Sequence, residues 1–250
     1  MAPVPPTPLV ARPSAVVPLA GTGARRPSAR ERTPLVLVHD LSGEVAPLEA
    51  VARALPSDLP VLGLRSPLVG PRPERFTRVD ALALRYLADL ERADIRDPLL
   101  VVGVGRCALL AVAMAALARR EGIAVGRCVA VDGGPGHLGP RAASPGRPRH
   151  LAGAGGLTGP GGRRRHARLL RSAGAPPGYD GVVDLLWAAG TASLGPTQGW
   201  GPHCAEVRVT RLRADHRHLL VGAGASEVAG VLAGLVAAAG PGSPGAATPA

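Results

Sequence analysis

Leu99–Ala118 reads LLVVGVGRCALLAVAMAALA. A short apolar run ends in Gly103-Val104-Gly105-Arg106-Cys107, and a long Ala/Leu-rich run follows. The pattern predicts a buried strand, a very tight turn and a buried helix, with glycines where the turn needs a backbone free of Cβ clashes. In one common enzyme architecture this turn carries a serine nucleophile in the pattern G-x-S-x-G. The matching residue here is Gly105. The scaffold of a catalytic turn is readable, and its catalytic atom is missing.

The same stretch is long enough for a membrane span, but three features argue against one. Arg106 would sit near the bilayer centre at a cost of about 3 kcal/mol. The two glycines interrupt the helix where a span is continuous. Asp97-Pro98 and Arg119-Arg120-Glu121 suit a loop and a charged helix end. No membrane segment is expected.

Outward from this stretch, the 250-residue chain is long enough for one domain with tails. Aromatics are only 2%, so the core must be built from Val, Leu and Ala. Every basic residue is Arg, and the net charge is +11. Part of that charge reflects a whole-chain bias toward Arg, Ala, Gly and Pro. A basic surface still favours anionic partners. Nucleic acid is not expected, because bases would find almost no aromatic platforms and no zinc or RNA-recognition motif. Cys107, Cys128 and Cys204 fit neither a metal site nor a disulfide framework, which predicts a reduced, cytoplasmic setting with no metal and no cofactor. The N-terminus shows no signal-peptide pattern.

In chain order, residues 1–33 read as a disordered Pro/Ala/Arg-rich arm, and 240–250 as a disordered tail. The domain is expected over 34–239. Pro34–His39 is an apolar run suited to a strand covered on both faces. Leu48, Val51, Ala52 and Leu55 share a helical face. Val61–Leu64 is a second strand. Thr77 with Asp80 reads as a capping box opening a helix through Leu90. Gly126–Asp132 is a strand after the pivotal helix. Residues 136–177 turn Gly/Pro/Arg-rich, with a basic cluster at Arg163–His166 and a short helix over His166–Ser172. Gly181–Trp187 is a strand, and Val207–Leu212 has the alternating apolar and basic residues of an edge strand. A last helix follows around Val228–Val236. Alternating strands and helices imply an α/β fold with a mostly parallel sheet, its chemistry at the strands' C-terminal ends.

Three residues fall at such ends: Gly105, Asp132 and His216, in the order nucleophile, acid, histidine. In a triad the histidine takes the nucleophile's proton and a buried acid orients the histidine. Cys107 is an alternative nucleophile if the turn lies two residues later. Asp184 and Asp215 are weaker acids, the first inside a strand and the second beside His216. His203 and His218 are the other candidate bases.

From about Pro34 to Ala239 the ordered set of segments resembles the thioesterase domains of nonribosomal peptide and polyketide synthases, a subgroup of the α/β-hydrolases. PLVLVHDLSGEVAPLEAVARAL is similar to the family's first strand, oxyanion loop and helix. VDALALRYLADLERADIRDPLLVVGVGRCALLAVAMAALARREG is similar to its nucleophile region, and VAVDGGP to its acid strand. PGYDGVVDLLWA, Gly199-Trp200 and ADHRHLL resemble its closing segments. The resemblance implies an α/β-hydrolase fold with the acid at Asp132 and the histidine at His216. It implies an oxyanion hole of the backbone N–H groups of Leu41 and Arg106. It makes 136–177 a degenerate lid. The family carries Ser or Cys where this chain has Gly105, and usually Gly where it has Cys107.

A glycine there relaxes a strained turn and removes covalent catalysis. The expected function is a catalytically impaired thioesterase-like protein that binds an acyl or peptidyl carrier, through its phosphopantetheine arm, or an acyl chain. One alternative is a residual hydrolase in which His216 and Asp132 activate water. Another is a non-enzymatic basic binding protein. The Arg163–His166 cluster reads either as a solvated lid face or as a dock for an acidic carrier or a phosphate.

Overall fold

The apolar runs assemble into one seven-stranded sheet. The computed structural model describes residues 14–19, 33–95, 98–135, 160–173, 176–193 and 195–239. The strands are β1 (Val16–Pro18), β2 (Leu35–Val38), β3 (Val61–Leu64), β4 (Leu99–Val104), β5 (Val125–Val131), β6 (Tyr179–Ala189) and β7 (Cys204–Asp215). Their order is β1-β3-β2-β4-β5-β6-β7. All neighbours are parallel except β1, which runs antiparallel to β3. The helices are α1 (Glu49–Ala54), α2 (Val79–Arg92), α3 (Ala108–Arg120), α4 (Pro160–Arg171) and α5 (Gly222–Ala238).

Helices cover both faces of the central strands, which is why β2 and β3 are buried at every position instead of alternating. On one face Tyr86 of α2 and Leu110 and Met114 of α3 pack over Val36, Val101 and Cys128. On the other, Val51 of α1 and Val228 and Leu232 of α5 pack over Leu37, Val102 and Val129. Ten of the thirteen residues of α3 are buried, because the helix lies across the middle of the sheet. β7 is an edge strand, and most of it is exposed.

The register levels the site. Val38 pairs with Gly103, and Val104 with Val131. His39, Gly105 and Asp132 therefore follow the C-terminal ends of three adjacent strands.

Several expectations change. Residues 14–19 of the arm belong to the fold: the Ala15 N–H donates to the buried Asp89 carboxylate at 3.2 Å, and the Leu19 N–H to the Val61 carbonyl at 3.1 Å. The rest of residues 1–32, the whole tail from 240 and most of the 136–177 lid lie outside the described residues. Thr77 and Asp80 form no capping box. Arg78 is the N-cap residue of α2, without a side-chain cap bond, and its guanidinium pairs with Asp80 at 2.9 Å. α4 begins at Pro160 rather than His166. Its buried positions are Gly162, His166, Leu169 and Leu170, so its inward stripe uses a glycine and a histidine where a hydropathy pattern looks for leucines.

Candidate active site

The turn after β4 has the shape its sequence predicts. Gly105 has φ +55°, in the left-handed region, and a Cβ built on it would meet no atom within 4 Å. The position thus points into open space. Gly103 is glycine for packing: a Cβ there would lie 2.6 Å from the Ala108 Cα and the Cys107 carbonyl. That close approach brings the start of α3 onto the end of β4.

Asp132 follows β5 at φ +49°, an unusual conformation for a non-glycine residue. Its N–H donates to the Leu186 carbonyl at 2.7 Å. Its carboxylate is buried and accepts three hydrogen bonds: from the Ala188 N–H at 3.1 Å, the Thr191 hydroxyl at 3.0 Å and His216 Nδ1 at 2.5 Å. Burial pushes the Asp132 carboxyl up. The His216 hydrogen bond and charge, with Thr191 and Ala188, outweigh it and hold the group below its ordinary value. A carboxylate facing Nδ1 fixes that nitrogen as the N–H donor and leaves Nε2 as the basic nitrogen. His216 is 40% exposed at its side chain, so a partly exposed imidazole stands beside a buried, ionised carboxylate.

The other candidates separate from this group. His218 pairs with Asp215 at 2.8 Å on the surface. Asp184 lies within β6 and pairs with Arg127 at 3.5 Å. Cys107 is wholly buried, its Sγ 3.8 Å from His39 Nδ1, and burial pushes its thiol far above the ordinary range. It is no solvent-facing thiolate, and the reading that slides the turn by two residues fails.

Leu41 lies in the turn after β2 and Arg106 directly follows Gly105. Among the described residues the Leu41 N–H has no acceptor. Thr191 and the Gly133-Gly134 pair were not singled out in the sequence reading. A Cβ at Gly133 would lie 1.9 Å from the Gly105 carbonyl oxygen, so the residue after the acid packs directly on the elbow. The Trp200 indole N–H fixes this turn, donating to the Gly133 carbonyl at 2.7 Å. The paired glycines were the available signal. Thr191, in a loop, gave none.

The basic cluster divides. Arg164 and Arg165 are exposed, as are Arg168 and Arg171 further along α4, whereas His166 is wholly buried. The cluster is therefore not a solvated face throughout. Among the described residues no helix is long and apolar enough to cross a membrane, and no group of His, Cys, Asp and Glu could hold a metal ion.

No family model matches the chain, and no curated protein does. Solved structures do. The chain is similar to the NocB thioesterase domain from the nocardicin cluster, solved as a covalent complex with a fluorophosphonate nocardicin G analog. Identity is 22% and the TM-score 0.68, covering 91% of this chain and 100% of that one. It is similar to RedJ, a thioesterase from the prodiginine biosynthetic pathway of Streptomyces coelicolor, at 20% identity and TM-score 0.61, covering 86% and 96%. It also matches a four-domain nonribosomal peptide synthetase, AB3403, at 17% identity and TM-score 0.70, covering 88% of this chain and 20% of that one. These likenesses show the fold alone, an α/β-hydrolase fold with a mostly parallel sheet.

Proposed function

We propose that this chain is a thioesterase-like protein of nonribosomal peptide or polyketide biosynthesis that binds acyl thioesters on a carrier protein without forming an acyl-enzyme. The observation that carries the reading is Gly105: an elbow with φ +55° and open space beyond its Cα, in the register of an assembled Asp132–His216 pair. The elbow and the acid–histidine pair thus stand at the ends of neighbouring strands, and the elbow residue has no side chain. The Leu41 and Arg106 N–H groups would receive the thioester carbonyl. The four exposed arginines of α4 suit an acidic carrier or the phosphate of its phosphopantetheine arm.

The Asp132–His216 hydrogen bond of 2.5 Å supports a second reading, direct hydrolysis. His216 Nε2 would take a proton from water as the water oxygen attacks the thioester carbonyl. The C–S bond then breaks, and the thiolate leaves with the proton held by His216. Products are a carboxylic acid and a thiol.

One experiment separates the readings. The wild type and His216→Ala are given an acyl-loaded carrier; binding is followed by titration and thiol release by a chromogenic reagent. Saturable binding with no release above background supports the binding reading. Release that His216→Ala abolishes supports hydrolysis. Neither binding nor release overturns both.

A further inference from the structure

Helix α4 reaches the loop that carries the Leu41 N–H, and it does so through contacts that tolerate no slack. Gly43 has φ +88°, and a Cβ there would lie 2.6 Å from Cε1 of His166 and 3.1 Å from the Ser66 Cβ. A Cβ on Gly162 of α4 would lie 3.0 Å from the Ser42 carbonyl and 2.9 Å from the Val69 side chain. Two glycines, one on each side, thus let helix and loop meet. Between them His166 is wholly buried: its Nδ1–H donates to the Gly162 carbonyl at 2.9 Å, and its Nε2 accepts from the Ser66 hydroxyl at 2.7 Å.

Beside it stands His39, also wholly buried, its ring centroid 4.7 Å from that of His166. His39 Nδ1–H donates to the Asp40 carbonyl at 2.6 Å, and Nε2 accepts from the Tyr86 hydroxyl at 2.7 Å. The Ser66 N–H donates to the Gly43 carbonyl at 2.9 Å, which ties the partner of His166 to the same loop. The Gly43 N–H donates to the same Asp40 carbonyl at 2.9 Å. The Asp40 carbonyl and the Leu41 N–H belong to one planar peptide unit. Fixing the carbonyl therefore fixes the direction of the N–H.

We propose that α4 positions the oxyanion loop, with His166 and His39 as positioning residues that hold the Asp40–Leu41 peptide through Gly43, Ser66 and Tyr86. Undocking α4 frees that peptide to rotate. This inference rests on the proposed thioester site for its consequence in function, but its structural claim is tested without catalysis.

The test is hydrogen–deuterium exchange, followed by mass spectrometry on peptides covering 39–45 and 160–172, in the full chain. His166→Leu keeps an apolar filler beneath α4 and removes both ring hydrogen bonds. Tyr86→Phe keeps the core packing and removes the hydroxyl. The expected result is exchange in 39–45 about tenfold faster in His166→Leu, the size of one lost buried hydrogen bond. The effect of His166→Leu is also expected to shrink in the Tyr86→Phe background, because both act on one peptide. Gly162→Ala is a second probe. It raises helix propensity yet should also loosen 39–45, since its Cβ presses on the Ser42 carbonyl. Exchange in 39–45 that stays within twofold of wild type in both His166→Leu and Gly162→Ala overturns the proposal. A functional readout is added in the Gly105→Ser background. There His166→Leu should slow acylation by about tenfold at unchanged thioester affinity, the behaviour of a misaimed oxyanion donor. If exchange responds and thioester binding is absent, the positioning role stands and the proposed function fails. If thioester binds and exchange does not respond, the reverse holds.

Discussion

Gly105→Ser tests whether the elbow lacks only its atom. The backbone at residue 105 has φ +55°, where an L-residue costs about 1–2 kcal/mol over glycine. No neighbour lies within 4 Å of the new Cβ, so no packing cost is added. Losing a glycine also restricts the unfolded chain, which returns about 0.4–1 kcal/mol. The net loss is on the order of 1 kcal/mol, a fall in melting temperature of about 2–4 °C for a chain of this size. Gly105→Ala carries the same strain without the oxygen, so the two variants should melt together. Only the serine variant gains a nucleophile. Removing the serine from such a site costs about 10⁶ in turnover; restoring it to a site not selected for it should recover at least ~10². The assay is stoichiometric labelling by a fluorophosphonate, read as a mass adduct, together with burst release of thiol from an acyl thioester. His216→Ala in the serine background should suppress both. A serine variant that melts with the alanine control yet labels no faster than wild type would refute the reasoning. It would mean that His216 does not reach the elbow.

The remaining predictions concern the surroundings of the elbow. In the Gly105→Ser background, Asp132→Asn should lower acylation by about 10²–10⁴, because an amide can hold His216 in the wrong tautomer; acylation within threefold of the parent sinks the assignment of the acid. Gly133→Ala should destabilise the fold by several kcal/mol or displace the elbow, since its Cβ would lie 1.9 Å from the Gly105 carbonyl, and urea unfolding measures this. Burial, with the neighbouring His166, lowers His39 from 6.5 to about 3. The unfolded chain therefore takes up a proton that the folded one refuses as pH falls through 6.5, and stability declines until about pH 3. Between pH 8 and pH 5 that one group costs about 2 kcal/mol. His39→Asn should lack this component, so the stability gap between it and wild type should narrow by that amount; a constant gap shows that His39 is not held neutral.

The sheet was legible because parallel strands buried on both faces leave continuous apolar runs, as in LVLV at 35–38 and LLVV at 99–102. β1 was not. Three residues among prolines carry no periodicity, and their place is set by pairing with β3 and, at the preceding Ala15, by a carboxylate distant in sequence, Asp89. α4 was half legible for a related reason. Its inward stripe is Gly162, His166, Leu169 and Leu170, and the first two are inward because of what they meet, the turn after β2 and Ser66. At the site, Asp132 came from its place at a strand end, and the choice of His216 over His203 and His218 from the family resemblance. Thr191 and Gly133 came from neither, since a hydroxyl supporting a carboxylate and a glycine excluded from contact by a carbonyl are properties of the assembled turn.

An intact acid–histidine pair is not in itself evidence of catalysis, and the reason is physical. The Asp132 carboxylate is buried at 1% side-chain exposure and is held ionised by its donors. Removing one donor strands part of a buried charge, at a cost of about 1–3 kcal/mol. The fold therefore has its own need for His216, whatever the chemistry. The two roles demand different atoms, however. Stability asks only for a donor where Nδ1 sits. Catalysis asks for a base at Nε2. His216→Asn offers an amide N–H near the Nδ1 position and nothing at Nε2. It should recover most of the stability that His216→Ala loses, measured by urea unfolding at neutral pH. If the wild type hydrolyses thioesters, His216→Asn should be as inactive as His216→Ala. Should alanine and asparagine be equally stable, the bond to Asp132 contributes nothing to the fold. The pair's persistence beside an empty elbow would then have to be explained by chemistry at Nε2.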